Sequence, residues 1–530
     1  MNKAWRGFLD AVRESPEDDL NRLAWADWCE DHQHDARAAF VRAQVRFAQL
    51  ADGPERDALE DEADDLLSTY EHVWLAGFHD FASDWYWERG MLEGITLYAS
   101  RAREAESLLA DFPIRHLRLL GNEQSYTDLA GWDYLRHIQS LDLGRYDPER
   151  PGVSLPSYRD SAFAALLTSP LLSRLRQVRL SGHEITGPTV TRLIDHHWHR
   201  LHELDVTHCT SFGDRATRML VDQPAPHLRH LAMASTNASD LGIRTALAAP
   251  QWPELRQLHV SLSALFRRGV SPDAFRENLL EAANLPRVGV LDFSHRSVDV
   301  ALLSQLVRCS RLGPIEQLHL HDCHLGTAEL RVLAEWPGLA NVHLLNLSNN
   351  GFSDAGLNEL LASPYLSGLR HLHLGYNRCG GASLGRLYQT PSLSRLRTLH
   401  LAGNFVGLAG LKLLAESPLR PVGLSLASCS LTAAAGDLLS SSPAFERLRV
   451  LYLERNRLSD SGLRRLANGP CLRRLRTLIL DANDLDSPSL EVLVDRAAWP
   501  ALRTLGIALN HFSLVEKAIL RERFGSGLIG

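Results

Sequence analysis

A nine-residue pattern, LxxLxLxxN, recurs through most of this chain and constrains its fold more than any other feature. Clear copies are LRHLHLGYN at 369–377, LRTLHLAGN at 396–404, LRVLYLERN at 448–456, LRTLILDAN at 475–483 and LRTLGIALN at 502–510. Weaker copies run back through VHLLNLSNN at 342–350 and IEQLHLHDC at 315–323 as far as IRHLRLLGN at 114–122. The third apolar residue of the pattern falls at 119, 143, 180, 206, 233, 260, 293, 320, 347, 374, 401, 426, 453, 480 and 507. Most of the intervals are 27 residues, with one of 26 and one of 25. A fixed period of this size marks an array of small units that cannot bury their apolar faces alone.

Each unit reads as one strand and one helix. Alternating leucines of the LxL core point to one side of an extended segment, because the side-chain period of a strand is two. The rest of a unit, such as SDAGLNELLASPYLSG at 353–368, carries apolar residues at helical spacing and a proline where a helix should stop. Stacked units place their strands ~4.8 Å apart as a parallel sheet. Helices are wider, at about 10 Å, so the stack must curve with strands inside and helices outside. The expected fold is therefore α/β: a right-handed solenoid with parallel strands on the concave face and helices on the convex one, preceded by a small α-helical domain.

Composition supplies the domain boundary. Of 97 leucines, 12 precede residue 113 and 85 follow, whereas six of the 11 tryptophans lie in the first 90 residues. The expected organisation is a helical domain over 1–50, an acidic helix and N-terminal cap over 51–113, fifteen repeats over 114–512, and a capping helix over 513–530. LEGITL at 92–97 offers a further edge strand before the first full copy. A solenoid's open ends need covering, which gives the aromatic segment WYWERGMLEGITL (85–97) and SLVEKAILRERFGSG (513–527) their expected roles.

The ninth position of the pattern holds Asn122, Asn350, Asn377, Asn404, Asn456, Asn483 and Asn510, with Cys209, Cys323 and Cys429 in other copies and Thr236 and Ser263 in two more. Just past a strand the backbone turns, and its unpaired amides and carbonyls need a short polar side chain. These residues are expected to form a structural ladder, the cysteines substituting for asparagine rather than holding a metal.

These motifs resemble those of leucine-rich-repeat proteins, and in particular the ribonuclease-inhibitor-like subtype, over about 400 residues. That resemblance implies a horseshoe whose concave face and edge loops bind other proteins; the units here are slightly shorter than that subtype's. In the first 50 residues, Ser15-Pro16 followed by acids at 17–19 reads as a helix start. That turn, then RLAWADWCED, Arg37 and FVRAQ, resembles the bacterial repeat-companion domain, found before repeat arrays especially in planctomycetes. That family usually has an acid two residues after the arginine, where Ala39 stands here. The resemblance implies an architecture and no reaction. The acidic run ERDALEDEADD at 55–65 reads as a solvated helix face.

Several function classes drop out. No stretch is apolar enough to span a membrane, and the N-terminus lacks a secretory pattern. Seven cysteines without a CxxC pair suit a reducing cytoplasm. A net charge of -7 with dispersed arginines argues against nucleic acid. No phosphate-binding, hydrolase or zinc-protease motif is present, so no catalytic residue, cofactor or metal is assigned.

Histidine is the suggestive residue, at 24 copies. The position between the last two leucines projects from the concave face and reads Arg118, Asp142, Arg179, Asp205, Ala232, His259, Asp292, His319, Asn346, His373, His400, Ser425, Tyr452, Ile479 and Gly506. Candidate partner-binding residues are His259, His319, His321, His371, His373, His400, Tyr452, Glu454 and Asp481. Phe266, Arg267 and Arg268 join them from a six-residue insertion between repeats; a second, ten-residue insertion lies around 146–160. The cluster DHHWHRLH at 195–202 straddles a helix end and a strand start, which disfavours a metal. The expected function is a monomeric, cytoplasmic, non-enzymatic protein-interaction scaffold. A regulator of a partner enzyme, resembling ribonuclease inhibitors or GTPase activators, is the alternative, and a metal-dependent binder using the histidines a weaker one.

Overall fold

The structure is a computed structural model that describes residues 3–530 apart from 52, 77, 79–80, 146–155, 262–286, 296 and 311. Ser263, Phe266, Arg267, Arg268 and most of the 146–160 insertion lie outside the described residues. Two compact units are present, Met1–Arg229 with Gln251–Glu254, and His230–Pro250 with Leu255–Gly530.

The first unit opens with four helices, α1 (Lys3–Glu14), α2 (Asp19–Asp31), α3 (Asp35–Gln49) and α4 (Pro54–Trp74). Trp25, Cys29, Val41, Val45 and Leu9 close a small core that also takes in Met91. The second helix starts three residues later than the Ser15-Pro16 signal suggests. Residues 15–17 form a turn, with the Asp18 amide donating to Ser15 O at 3.1 Å, and Asp18 itself caps the helix by accepting from Leu20 N at 3.0 Å. The acidic run is also less solvated than its composition indicates, since Glu60 and Asp64 of α4 are buried.

An antiparallel hairpin follows, β1 (Ala82–Glu88) and β2 (Met91–Tyr98). Arg89 and Gly90 both take positive φ, at 47° and 81°, as a tight two-residue hairpin turn requires. A Cβ on Gly90 would stand 2.5 Å from Val41 Cα, so glycine is required where the hairpin meets α3. There the Gly90 amide donates to Gln44 Oε1 at 2.7 Å. Strand β2 then starts a parallel ladder through β3 (His116–Leu120), β4 (Ser140–Asp142), β5 (Gln177–Arg179) and β6 (Glu203–Asp205). The helical segment thus docks on the hairpin that begins the ladder.

The second unit is a continuous parallel ladder: β7 (His230–Ala232), β8 (Gln257–Ser261), β9 (Val290–Asp292), β10 (Gln317–His319), β11 (Leu344–Asn346), β12 (His371–His373), β13 (Thr398–His400), β14 (Gly423–Ser425), β15 (Val450–Tyr452), β16 (Thr477–Ile479), β17 (Thr504–Gly506) and β18 (Leu528–Ile529). From β9 to β17 each central leucine faces the next, as Leu372 faces Leu399. Between β8 and β9 the register slips by two residues, so that Val260 rather than Leu258 faces Leu291. The six extra residues of the adjacent repeat precede that step. A two-residue slip keeps every side chain on its original face.

Helices alternate with the strands and bury their apolar stripe against the leucines; Leu357 and Leu360 of the helix Asp354–Leu360 are typical. Pro337, Pro391, Pro443 and Pro470 each open a short 3-10 turn leading into the next strand. The helix Leu514–Phe524 starts at a Ser513/Glu516 capping box and buries Leu520 and Phe524 before the chain adds β18. The fold is an α/β leucine-rich-repeat solenoid with a helical segment ahead of its strands. Among the described residues no helix is long and apolar enough to cross a membrane.

Candidate interaction surface

The turn after each strand decides what the exposed edge can present. The eighth residue of the pattern sits in the left-handed region at His208, Ser235, His295, Asp322, Asn349, Tyr376, Ser428, Arg455, Ala482 and Leu509, with φ between 53° and 63°. Such a conformation costs a non-glycine residue roughly 1 kcal/mol or more, and here the ninth residue offsets it. Asn350 donates to Leu320 O and Leu347 O, both at 2.8 Å, while its Oδ1 accepts from Cys323 N at 2.9 Å and Leu325 N at 3.1 Å. Asn377, Asn404, Asn456, Asn483 and Asn510 repeat the double donation to their own and the preceding repeat.

At the cysteine positions only part of this set is made. Cys209 Sγ donates to Leu180 O at 3.1 Å, Cys323 Sγ to Phe293 O at 3.2 Å and Cys429 Sγ to Leu401 O at 3.3 Å. Burial pushes the Cys209 and Cys429 thiols up to about 12, so they remain protonated donors. Asn122 plays a different part, capping the helix Glu123–Leu129 through Ser125 N at 3.0 Å.

On the exposed face of the sheet the two units differ in chemistry. In the first unit the middle row is an alternating ionic ladder: Arg118 and Arg179 flank Asp142 at 3.9 and 3.7 Å, and Arg179 reaches Asp205 at 3.1 Å. Those charges satisfy one another. In the second unit the row carries imidazoles. His373 and His400 face each other on β12 and β13 with ring centroids 4.1 Å apart, and the Tyr452 ring lies 6.2 Å beyond His400. His259 and His319 stack at 6.1 Å. Burial, reinforced by neighbouring histidines, holds His373 down to about 3 and His400 to about 4, so both rings are neutral near pH 7. His319 is lowered by burial too.

The remaining candidates fall around this row. His371 shares β12 and bonds Thr398 Oγ1 through Nδ1 at 2.9 Å. His321 lies past its strand and meets His295 edge-on at 5.0 Å. Burial pushes Glu454 up to about 7 and raises Asp481, which accepts from Ala508 N at 2.8 Å. Sequence reasoning missed two exposed aromatics on the adjoining turns, Tyr376 (56% exposed) and Phe405 (71%). The available signal was a bulky ring at or just beyond the eighth position of the pattern, where the chain turns.

The DHHWHRLH cluster does not converge. His197 is buried and bonds Leu167 O through Nε2 at 2.7 Å, whereas His196 and His199 are exposed. Among the described residues, the one group of three possible ligands within 4.8 Å of one another is Glu88, Glu93 and His116, in the first unit. Its carboxylates are already engaged. Glu93, fully buried, pairs with Arg22 at 2.7 Å and with Arg115, which also holds Glu88 at 3.2 Å and Glu17 at 3.1 Å. Two guanidiniums on one carboxylate make this an ion-pair junction joining the helices to the hairpin, and a poor cation site.

No family model and no curated protein matches this chain. Among solved structures it is similar to an internalin (inlF) from Listeria monocytogenes, at 18% identity over 75% of this chain and 92% of that one, with a TM-score of 0.29. It is also similar to the Rad7 and Elc1 complex of yeast, at 12% identity over 91% and 94% of the two chains, with a TM-score of 0.36.

Proposed function

We propose that this chain is a non-enzymatic scaffold that seats a protein partner on the exposed strand face of its second unit and on the turns beside it. The observation that carries the reading is the contrast between the two rows. The first unit spends its charges on internal pairs, whereas His319, His373 and His400 make no hydrogen bond among the described residues and lie beside turns that carry exposed Tyr376 and Phe405. Neutral imidazoles and aromatic rings on a rigid sheet desolvate at low cost and make good anchors. A preformed surface also lowers the ordering cost of binding.

In this reading the chain acts as a monomer in a reducing, cytoplasmic setting, which fits seven free cysteines, six of them buried. The array belongs to the ribonuclease-inhibitor-like subtype and the helical segment to the bacterial repeat-companion modules. Affinity capture with three baits tests the proposal: wild type, His319→Ala/His373→Ala/His400→Ala, and Tyr376→Ser/Phe405→Ser, each shown folded by circular dichroism. A protein held by wild type and lost from both variants supports it. Equal retention by all three sinks it.

A further inference from the structure

A second candidate site lies in the helical segment, independent of the strand face. Arg37 of α3 is only 6% exposed, and aromatic rings surround its guanidinium: Cζ lies 4.3 Å from the Trp87 centroid, 4.5 Å from Trp74, 5.0 Å from Trp25 and 5.8 Å from Phe40. Ring faces stabilise the cation above and below its plane, but guanidinium N–H groups point outward in that plane and need acceptors. Nε and Nη1 are buried and have none among the described residues. The nearby Glu71 carboxylate attracts Arg37 as a charge, while its Oε1 accepts from Trp85 Nε1 at 3.0 Å and Trp87 Nε1 at 2.7 Å. A buried cation without an acceptor is costly to keep.

Arg37 forms part of the wall of a cavity of about 670 Å³, whose other walls include Trp5, Val73, Phe78 and Phe112. Concave apolar sites with one charged group fix small ligands by that group. Asp35 and Asp111, also on the wall, oppose a multiply charged anion such as phosphate. We propose that this cavity binds a monocarboxylate with an apolar body, its carboxylate paired to Arg37 and its body against Trp5, Val73 and Phe112. A small aromatic acid and the C-terminal carboxylate of a polypeptide share this chemistry.

Calorimetric titration of the full chain distinguishes them. The probes are 3-phenylpropionate and 3-phenylpropionamide, and the peptide Ala-Ala-Ala-Phe with a free or an amidated C-terminus. The expected result is at least tenfold tighter binding of one carboxylate than of its amide, lost in Arg37→Met. The acid alone binding marks a small-molecule site, and the peptide binding as well marks capture of chain ends. Equal binding of acid and amide, no heat from any probe, or full affinity in folded Arg37→Met overturns the proposal. Should Arg37→Met not fold, Val73→Glu decides: Val73 is 61% exposed, so the change leaves packing intact while setting a like charge on the wall. It should weaken the carboxylate at least tenfold and spare the amide; unchanged carboxylate affinity overturns the site.

Discussion

His373 and His400 face each other across neighbouring strands with their rings 4.1 Å apart, and neither takes a proton until pH falls to about 3 and about 4. Both values lie below that of an unfolded imidazole, about 6.5. Between roughly pH 6.5 and 4 the unfolded chain therefore binds more protons than the folded one, and stability falls as pH falls. Urea midpoints at pH 7 and 4.5 should show a loss on the order of 1–2 kcal/mol per imidazole, allowing for partial exposure of the rings. The His373→Gln/His400→Gln variant should lose correspondingly less. An identical pH slope in the variant would show that the pair does not carry this linkage.

The ladder makes a graded prediction at one position. Asn404 donates to Leu374 O at 2.8 Å and Leu401 O at 3.0 Å and accepts from Cys379 N at 3.1 Å. Asn404→Ala should cost about 3 kcal/mol by stranding buried backbone groups. Asn404→Cys should cost about half as much, because a thiol can still serve one carbonyl, as Cys429 does. Denaturant midpoints should rank Asn, then Cys, then Ala; a cysteine no better than alanine contradicts the substitution logic.

At the helix–hairpin junction, Arg22→Met leaves the buried Glu93 carboxylate with Arg115 as its remaining cation. The expected loss is about 3–5 kcal/mol. Adding Glu93→Leu to Arg22→Met should restore part of it, since the unbalanced charge is then gone. Thermal unfolding followed by tryptophan fluorescence reads both variants, and a double mutant weaker than the single would refute the account.

Leu509 holds φ at 57° with its side chain 76% exposed, so its strain is not offset by burial. Leu509→Gly should therefore raise stability by about 1 kcal/mol, measured as a shift in denaturant midpoint. A loss would mean that the side chain contributes contacts outweighing the turn's strain.

The strand core was legible because stacking constrains it. Leu372, Leu374, Leu399 and Leu401 are nearly fully buried, and the 27-residue period alone predicts that His373 stands beside His400. Features set by three-dimensional docking were not legible. Nothing near Arg22 announces Glu93 as its partner, and the acidic run around Glu60 looks solvated until α4 packs against the preceding helices. The longer interval between β8 and β9 was readable, but the two-residue slip in their pairing was not. The left-handed turns hid for another reason. Tyr376, Ser428 and Leu509 carry no local signal for positive φ, because the conformation is imposed by the hydrogen bonds of the following residue.

Because each ladder asparagine bonds its own repeat and the one before it, every joint between such repeats is the same joint. Excising or duplicating a whole unit between Asn350 and Asn404 rejoins identical ends, with each donor again facing the equivalent carbonyl of the unit before it. The array can therefore grow or shrink over evolutionary time in steps of one unit, carrying its row of histidines along and changing the length of its exposed face without redesigning its core.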